Sequence, residues 1–405
     1  MVTPECTAKL WLALKPLLSS RSDEPKMKNT RLVGLSLLLF MQVGLFSQQA
    51  EVLPRRAYFG VGLEKHEIGA RVFSVGSGST AAGVGIAVGD VILTVDDQTI
   101  STPEAVVAAI SRYRPGQSVR MEILRDGERR AIQAALKPLP FEEMKNASVE
   151  YSSVVASPGV RLRTIVSVPV NPSSGRFPAV LLIQGGGCGS IDAPFSSTVA
   201  QPGVVHAIGS QGFVTMRVEK SGVGDSQGPP CDSIGFKEEL AGYQAALKFL
   251  QAHPSVDTQR VFLIGISLGG LFAPLLAEET KVAGISVYGT LVRPPPPYPG
   301  RSDRFFQEFS TVDIPAAWSK VATRVQVLHG EYDVDEVTSR TTHQSIAAIV
   351  NTARSGSAEF KELSGLDHCW SRHGSLEASR DKCGQGDVVP LLSDTILEFL
   401  RAVGR

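Results

Sequence analysis

The chain has no excess of charge of either sign, since forty Lys and Arg residues balance forty Asp and Glu residues. Without a broad basic or acidic surface, neither nucleic acid nor an anionic membrane is an expected partner. Cysteine is scarce, at five residues in 405, and no spacing of His and Cys is that of a zinc site. A small or neutral partner is therefore expected, with no metal.

The chain also lacks an apolar run long enough to cross a bilayer comfortably, which takes about 20 residues. A basic start at residues 27–31 precedes the apolar run 32–46 and the short stretch 47–50. This layout is typical of a secretory signal peptide. We expect an N-terminal extension and signal peptide over residues 1–50, with the signal at 27–50, translation from Met27 and cleavage after Ala50. An uncleaved membrane anchor is the alternative.

Cleavage there predicts a bacterial protein that is exported to the periplasm or secreted and keeps no stable membrane span. The full chain of 405 residues is 43% hydrophobic, enough for two domains. Residues 51–140 have the pattern of short strands with one helix, and residues 141–149 that of a linker. From residue 150 to residue 405, strand-like runs alternate with helical patterns, which favours a doubly wound, mostly parallel α/β sheet.

The first of these domains carries two recognisable stretches. Residues 58–61 read Tyr-Phe-Gly-Val, and residues 79–93 lead from Ser-Thr-Ala-Ala-Gly into an apolar strand. A helix is expected to start near Thr102, which can cap it, and Pro103 suits the first helical position. In this order the segment resembles a PDZ domain of bacterial periplasmic proteases, a small sandwich-like β fold.

The resemblance implies that Tyr58, Phe59, Gly60 and Val61 present backbone N–H groups to the terminal carboxylate of a peptide, which adds as a strand. A C-terminal peptide is therefore one expected partner. The alternative is that the groove stays empty and the domain only docks on the second domain or covers its entrance.

The second domain carries the strongest motif of the chain, Gly-Ile-Ser-Leu-Gly at residues 265–269. It follows the apolar run 261–264 and leads directly into a helical pattern. Small residues allow a sharp turn from strand to helix, which exposes the hydroxyl of Ser267 as a nucleophile. The N–H of Leu268, at the start of the helix, would then donate to an oxyanion.

A second oxyanion donor is expected in the glycine-rich loop 185–189, which follows another apolar run. Glycines let backbone N–H groups approach a carbonyl oxygen closely. Gly186 is the predicted donor and Gly187 is the alternative.

A serine hydroxyl needs a base to take its proton and an acid to orient that base. After Ser267 the chain offers an acidic cluster with Asp333, and Asp335 in reserve, and then His368. His329 lies before a turn and His343 within a helical run, so His373 is the credible alternative base.

This order of serine, acid and histidine resembles the α/β-hydrolase family, in the branch of carboxylesterases, dienelactone hydrolases and prolyl-oligopeptidase-like peptidases. The resemblance implies a serine hydrolase that cleaves a small carboxylic ester through an acyl-enzyme, with no cofactor. A PDZ-guided serine peptidase and an acyl thioesterase are the alternatives, and a scaffold protein with a vestigial triad is a third. The proline-rich stretch 293–300 would begin an insertion at the place where these enzymes carry a lid or cap, and a recognition ligand for a partner is the alternative.

The cysteines left after cleavage, an even set of four, permit three pairings. Cys369 and Cys383 flank one loop near the predicted base, and Cys188 and Cys231 follow two strands whose ends should converge. We expect disulfides 188–231 and 369–383, with four free thiols as the alternative.

Overall fold

The computed structural model describes residues 51–170, 175–195, 200–293, 297, 301–334, 336–384 and 386–404. The predicted signal peptide, most of the proline-rich stretch and the reserve acid Asp335 lie outside these residues. In the part of the chain that is described, no helix is long and apolar enough to cross a membrane.

The first domain has the strands β1 Ala57–Tyr58, β2 Val61–His66, β3 Gly69–Val75, β4 Val91–Val95, β5 Gln98–Thr99, β6 Ser118–Arg125, β7 Glu128–Ala135 and β8 Lys137–Pro138. It is built on an antiparallel sheet in the order β2-β3-β4-β6-β7, with β5 beside β4 and a separate β1-β8 pair. Its helices are α1 Thr80–Gly83 and α2 Pro103–Ile110. Helix α2 begins as predicted, because Thr102 Oγ1 accepts a hydrogen bond from Ala105 N at 3.2 Å.

The second domain has the strands β9 Ala147–Ser157, β10 Val160–Pro169, β11 Phe177–Ile183, β12 Val214–Val218, β13 Val256–Ile266, β14 Gly284–Tyr288, β15 Arg324–Gly330 and β16 Ala358–Leu363. They form one eight-stranded sheet in the order β16-β15-β14-β13-β11-β12-β10-β9. Strands β11 to β16 are parallel, and β10 joins them through an antiparallel pairing with β12. A two-stranded ribbon adds β17 Ser371–Arg372 and β18 Asp387–Val388.

Helices cover both faces of this sheet, because the side chains of its central strands are apolar on both sides. Along β13, Val261 and Leu263 belong to one buried cluster, whereas Phe262 and Ile264 belong to the other. The helices are α3 Ala200–Gly209, α4 Phe236–Ala252, α5 Gly269–Glu279, α6 Asp303–Ser310, α7 Ile314–Lys320, α8 Arg340–Ala353, α9 Leu376–Lys382 and α10 Leu391–Val403. This is the predicted doubly wound architecture.

A buried polar network lies where the chain passes between the two domains. The guanidinium of Arg55 lies 2.6 Å from Asp192 and 2.5 Å from Asp225, and it donates to the carbonyl of Leu139 at 2.9 Å. Glu142, inside the segment predicted as a linker, is only 4% exposed. These contacts hold the segment before the first domain, at Arg55, and the segment after it, at Leu139, against the second domain.

Candidate active site

Ser267 lies in a tight turn between the end of β13 at Ile266 and the start of α5 at Gly269. Its φ of 50° is in the left-handed region, which residues with a side chain rarely adopt. A Cβ on Gly269 would lie 2.1 Å from the carbonyl oxygen of Ile183, and one on Gly265 would lie 2.7 Å from Gly270 Cα. The two glycines of the motif are therefore required by backbone packing at this turn.

Three side chains form one hydrogen-bonded chain at the carboxyl ends of the strands. His368 Nε2 lies 3.0 Å from Ser267 Oγ, and His368 Nδ1 lies 2.8 Å from Asp333 Oδ2. The carboxylate is buried and also accepts a hydrogen bond from Thr338 Oγ1 at 3.0 Å. Since an ionised carboxylate only accepts, the proton lies on Nδ1 and Nε2 is free to accept from the serine hydroxyl.

The other candidate histidines have different partners. His343 Nε2 accepts from the backbone N–H of Thr290 at 2.9 Å, so its Nδ1 donates to the Ser339 carbonyl. Burial lowers the pKa of His343 to about 4, which keeps its ring neutral. His373 Nε2 lies 2.8 Å from Asp367 Oδ2, and His329 Nδ1 lies 3.3 Å from Glu362.

Asp367, directly before His368, is a site residue that sequence reasoning missed. Its side chain is fully buried. Oδ1 accepts from the N–H groups of Cys369 at 2.9 Å and Ser371 at 2.8 Å, and Oδ2 accepts from that of Gly384 at 2.7 Å. A carboxylate with this many donors fixes the loop that carries the histidine. Only its position next to His368 could have suggested this role.

The predicted oxyanion donors belong to two segments that follow neighbouring strands of the sheet. Leu268 is the residue that precedes α5, and Gly186 lies in the loop after β11. The end of β11 packs directly on the nucleophile turn, since Ile183 is the residue that a Cβ on Gly269 would meet. The carbonyls of Gly185 and Gly186 accept hydrogen bonds from Lys220 and Arg301, two residues that were not predicted to take part in the site.

One predicted disulfide is present and the other is not. Cys188 and Cys231 are bonded, with Cα atoms 5.7 Å apart. The prediction of a bond between Cys369 and Cys383 is wrong for this structure, because the sulfur atoms lie 3.3 Å apart as thiols. Asp367 accepts from the N–H groups of Cys369 and Gly384, so this loop is closed by hydrogen bonds instead of by a covalent link.

The predicted peptide-binding residues Tyr58, Phe59, Gly60 and Val61 line a groove of about 900 Å³ that also takes in part of helix α2. The second domain contributes to the same groove through a few residues of two loops, which are Asp192, Pro194, Phe195, Gly222 and Gly224. The ring of Phe195 stacks on that of Tyr58, with centroids 5.0 Å apart. Residues of both domains therefore line the groove.

Two protein families match separate parts of the chain. The PDZ domain family matches residues 57–136, and the X-Pro dipeptidyl-peptidase (S15) family matches residues 158–292. These matches and the sheet described above confirm the predicted fold, an α/β-hydrolase domain after a PDZ domain.

Curated relatives are similar to shorter parts of this chain. Esterase EstD of Thermotoga maritima is 27% identical over 127 residues, which cover 31% of this chain and 30% of that protein. A DegP-like periplasmic serine endoprotease of Halomonas elongata is 34% identical over 79 residues, which cover 20% of this chain and 16% of that protein. The chain thus spans less than half the length of these curated relatives.

Among solved structures, the acylaminoacyl peptidase of Pyrococcus horikoshii has a TM-score of 0.50 and 12% identity. The likeness covers 70% of this chain and 46% of that one. At 12% identity this likeness shows a shared fold and nothing more.

Proposed function

We propose that this chain, which joins a PDZ domain to an α/β-hydrolase domain, is a serine hydrolase that cleaves a carboxylic ester through an acyl-enzyme intermediate. The observation that carries the proposal is the hydrogen-bonded chain from Ser267 Oγ through His368 to Asp333, at 3.0 Å and 2.8 Å. The matches to hydrolase families support the same conclusion.

In this mechanism the serine oxygen attacks the ester carbonyl while His368 Nε2 takes the hydroxyl proton. Asp333 keeps the ring in the tautomer that leaves Nε2 unprotonated, and it stabilises the imidazolium that forms. The tetrahedral intermediate collapses when His368 gives the proton to the departing alcohol oxygen. Water then attacks the acyl-enzyme by the same route and releases the acid.

The oxyanion of the tetrahedral intermediate would accept from the N–H groups of Leu268 and Gly186. The location of Leu268 before a helix and of Gly186 in a glycine loop supports these roles. Removal of one such donor typically costs about 100- to 1,000-fold in kcat.

The test is labelling by a fluorophosphonate probe together with hydrolysis of p-nitrophenyl acetate. Wild type is compared with Ser267→Ala and His368→Ala, and with Ser310→Ala as a matched control on the exposed end of α6. We expect labelling and turnover to vanish in the first two and to persist in the control. Equal turnover by wild type and Ser267→Ala would contradict the proposal and favour a scaffold role.

A PDZ-guided peptidase is the second candidate, and the groove shared by the two domains favours it. It predicts that a peptide with a free C-terminal carboxylate binds near Phe59 and raises turnover. The matched control is the same peptide with an amidated C-terminus. An acyl thioesterase is distinguished by comparing an acyl thioester with the oxygen ester of the same acyl group.

We further propose that the protein is exported, a location in which the disulfide between Cys188 and Cys231 is stable. Fractionation of the producing cells and N-terminal sequencing of the mature protein test this. Mature protein that begins before residue 27 would contradict the proposed signal peptide.

A further inference from the structure

Two buried cations hold the backbone of the glycine loop after β11. Lys220 Nζ donates to the carbonyl of Gly185 at 2.5 Å, and Arg301 Nε donates to the carbonyl of Gly186 at 2.9 Å. The two side chains are 1% and 0% exposed. Charged groups at such depth are costly unless paired, so their presence here requires a reason.

Glu239 of helix α4 links the two cations. Its carboxylate lies 2.9 Å from Lys220 Nζ and 2.6 Å from Arg301 Nη1. Burial lowers the pKa of Lys220 to about 8 against the raising effect of Glu239, so the amine still carries its charge at neutral pH. A shared acceptor on a long helix therefore fixes both donors relative to the protein core.

The consequence for the loop follows from the geometry of the peptide bond. A carbonyl and the N–H of the next residue lie in one plane and point in opposite directions. The contact from Lys220 to the Gly185 carbonyl therefore sets the direction of the Gly186 N–H. The contact from Arg301 to the Gly186 carbonyl likewise sets the direction of the Gly187 N–H. Glycine would otherwise leave both peptide planes free to rotate.

We propose that Lys220 and Arg301, linked by Glu239, are positioning residues that hold the N–H groups of Gly186 and Gly187 toward the oxyanion. This role rests on the serine hydrolase function proposed above. Donors that are oriented before the reaction need no reorganisation when charge develops on the carbonyl oxygen. The same contacts keep two carbonyl oxygens, which would repel an oxyanion, turned toward cations.

The disulfide reinforces the same arrangement. Cys188, in the glycine loop, is bonded to Cys231, and the carbonyl of Cys231 lies 3.5 Å from Arg301 Nη1. The glycine loop is thus held by a disulfide to Cys231 and by hydrogen bonds from Lys220 and Arg301.

The test uses Lys220→Met and Arg301→Lys in the full chain, with Lys248→Met as the matched control at an exposed position of α4. Arg301→Lys keeps the charge but loses the planar fork that reaches Gly186 and Glu239 together. For p-nitrophenyl acetate we expect kcat to fall about 10- to 100-fold in the first two variants, with KM changed by less than about twofold. Affinity for an alkyl boronic acid, whose serine adduct carries a tetrahedral oxyanion mimic, should fall in parallel.

A readout independent of activity comes from crystal structures of wild type and of the two variants. We expect the peptide planes 185–186 and 186–187 to rotate or to lose a single orientation, while the rest of the sheet is unchanged. Should Lys220→Met fail to fold, Arg301→Lys decides the question alone. Active variants with wild-type kcat, or unmoved peptide planes, would overturn this role and leave the proposed hydrolase intact. A wild type without hydrolase activity would overturn both.

Discussion

The Nε2 atom of His373 lies 2.8 Å from Oδ2 of Asp367, the carboxylate that precedes His368 in the chain. The candidate alternative base is therefore engaged with a different acid from the one that contacts His368. Both carboxylates are fully buried. One of them contacts His368 itself, and the other holds the loop on which His368 lies.

Substitution of Asp367 is expected to slow the reaction without removing any proposed catalytic group. In Asp367→Asn one carboxylate oxygen becomes an NH₂ group, which cannot accept from the N–H of Gly384. A shift of His368 by even about 1 Å can cost on the order of 100-fold, so we expect kcat to fall at least about tenfold. Asp381→Asn, an exposed acid of α9, is the control. Unchanged ester turnover in Asp367→Asn would contradict the positioning role.

Gly289 lies beside the contact between His368 and Asp333, where a side chain would be strained and would press on the histidine ring. A Cβ there would lie 3.1 Å from the His368 ring and 3.4 Å from Asp333 Oδ2, and the φ of Gly289 is +56°. We expect Gly289→Ala to lower kcat by about tenfold or more through displacement of the ring.

The control variant Gly159→Ala distinguishes the effect of the contact with His368 from the effect of backbone strain. Gly159 has a φ of +79°, but a Cβ there would meet no atom within 4 Å. Steady-state ester kinetics and thermal unfolding of both variants provide the comparison. If both lose activity equally, strain and not the His368 contact is responsible.

The parts of the fold that were predictable from sequence are those where the apolar pattern is unbroken. The central strands are continuous buried runs, and helix α4 has its buried residues at helical spacing, for example Tyr243, Leu247 and Leu250. The antiparallel strand β10 was not predicted, because it buries Arg163, Thr164 and Ser167 among its apolar residues. Buried polar side chains break the period on which strand prediction depends.

The motifs also located the serine, histidine and acid that lie together, because the strand-to-helix turn is a local signal and the order of the three residues resembles that of a known family. Lys220, Glu239 and Arg301 could not be found in this way. Charged residues are ordinarily at the surface, and their burial here depends on contacts between distant parts of the chain. Glu239 and Arg301, for example, are 62 residues apart.

Arg55 is expected to be a large contributor to stability at the junction of the two domains. Its guanidinium contacts Asp192 and Asp225, whose side chains are 2% and 1% exposed. In Arg55→Met the buried carboxylate of Asp192 loses its cation and that of Asp225 keeps only Arg163, at 3.0 Å, so we expect unfolding to become easier by about 3 kcal/mol. Arg120→Met, at an exposed ion pair, should change the free energy of unfolding by less than about 1 kcal/mol. Urea unfolding measures both, and similar values for the two variants would contradict the importance of the junction.

The same junction is expected to lose stability in acid through Glu142. Burial alone would raise the pKa of this carboxyl, but hydrogen bonds from His206 and Arg217 and the charge of Arg217 outweigh it and lower the pKa to about 2. The ordinary value, which we assign to the unfolded chain, is 4.5.

Between these two values the unfolded chain takes up a proton that the folded chain does not, so lowering the pH favours unfolding. The stabilisation from Glu142 is therefore fully present above pH 4.5 and disappears as the pH falls toward 2. Its full size is of the order of 3 kcal/mol at about 1.4 kcal/mol for each pKa unit. Glu142→Gln, which has no proton to gain, should flatten the fall in stability over this window, whereas Glu143→Gln, an exposed neighbour, should not. Urea unfolding at a series of pH values from 5 to 2.5 compares the slopes, and parallel curves for wild type and Glu142→Gln would show that acid acts elsewhere.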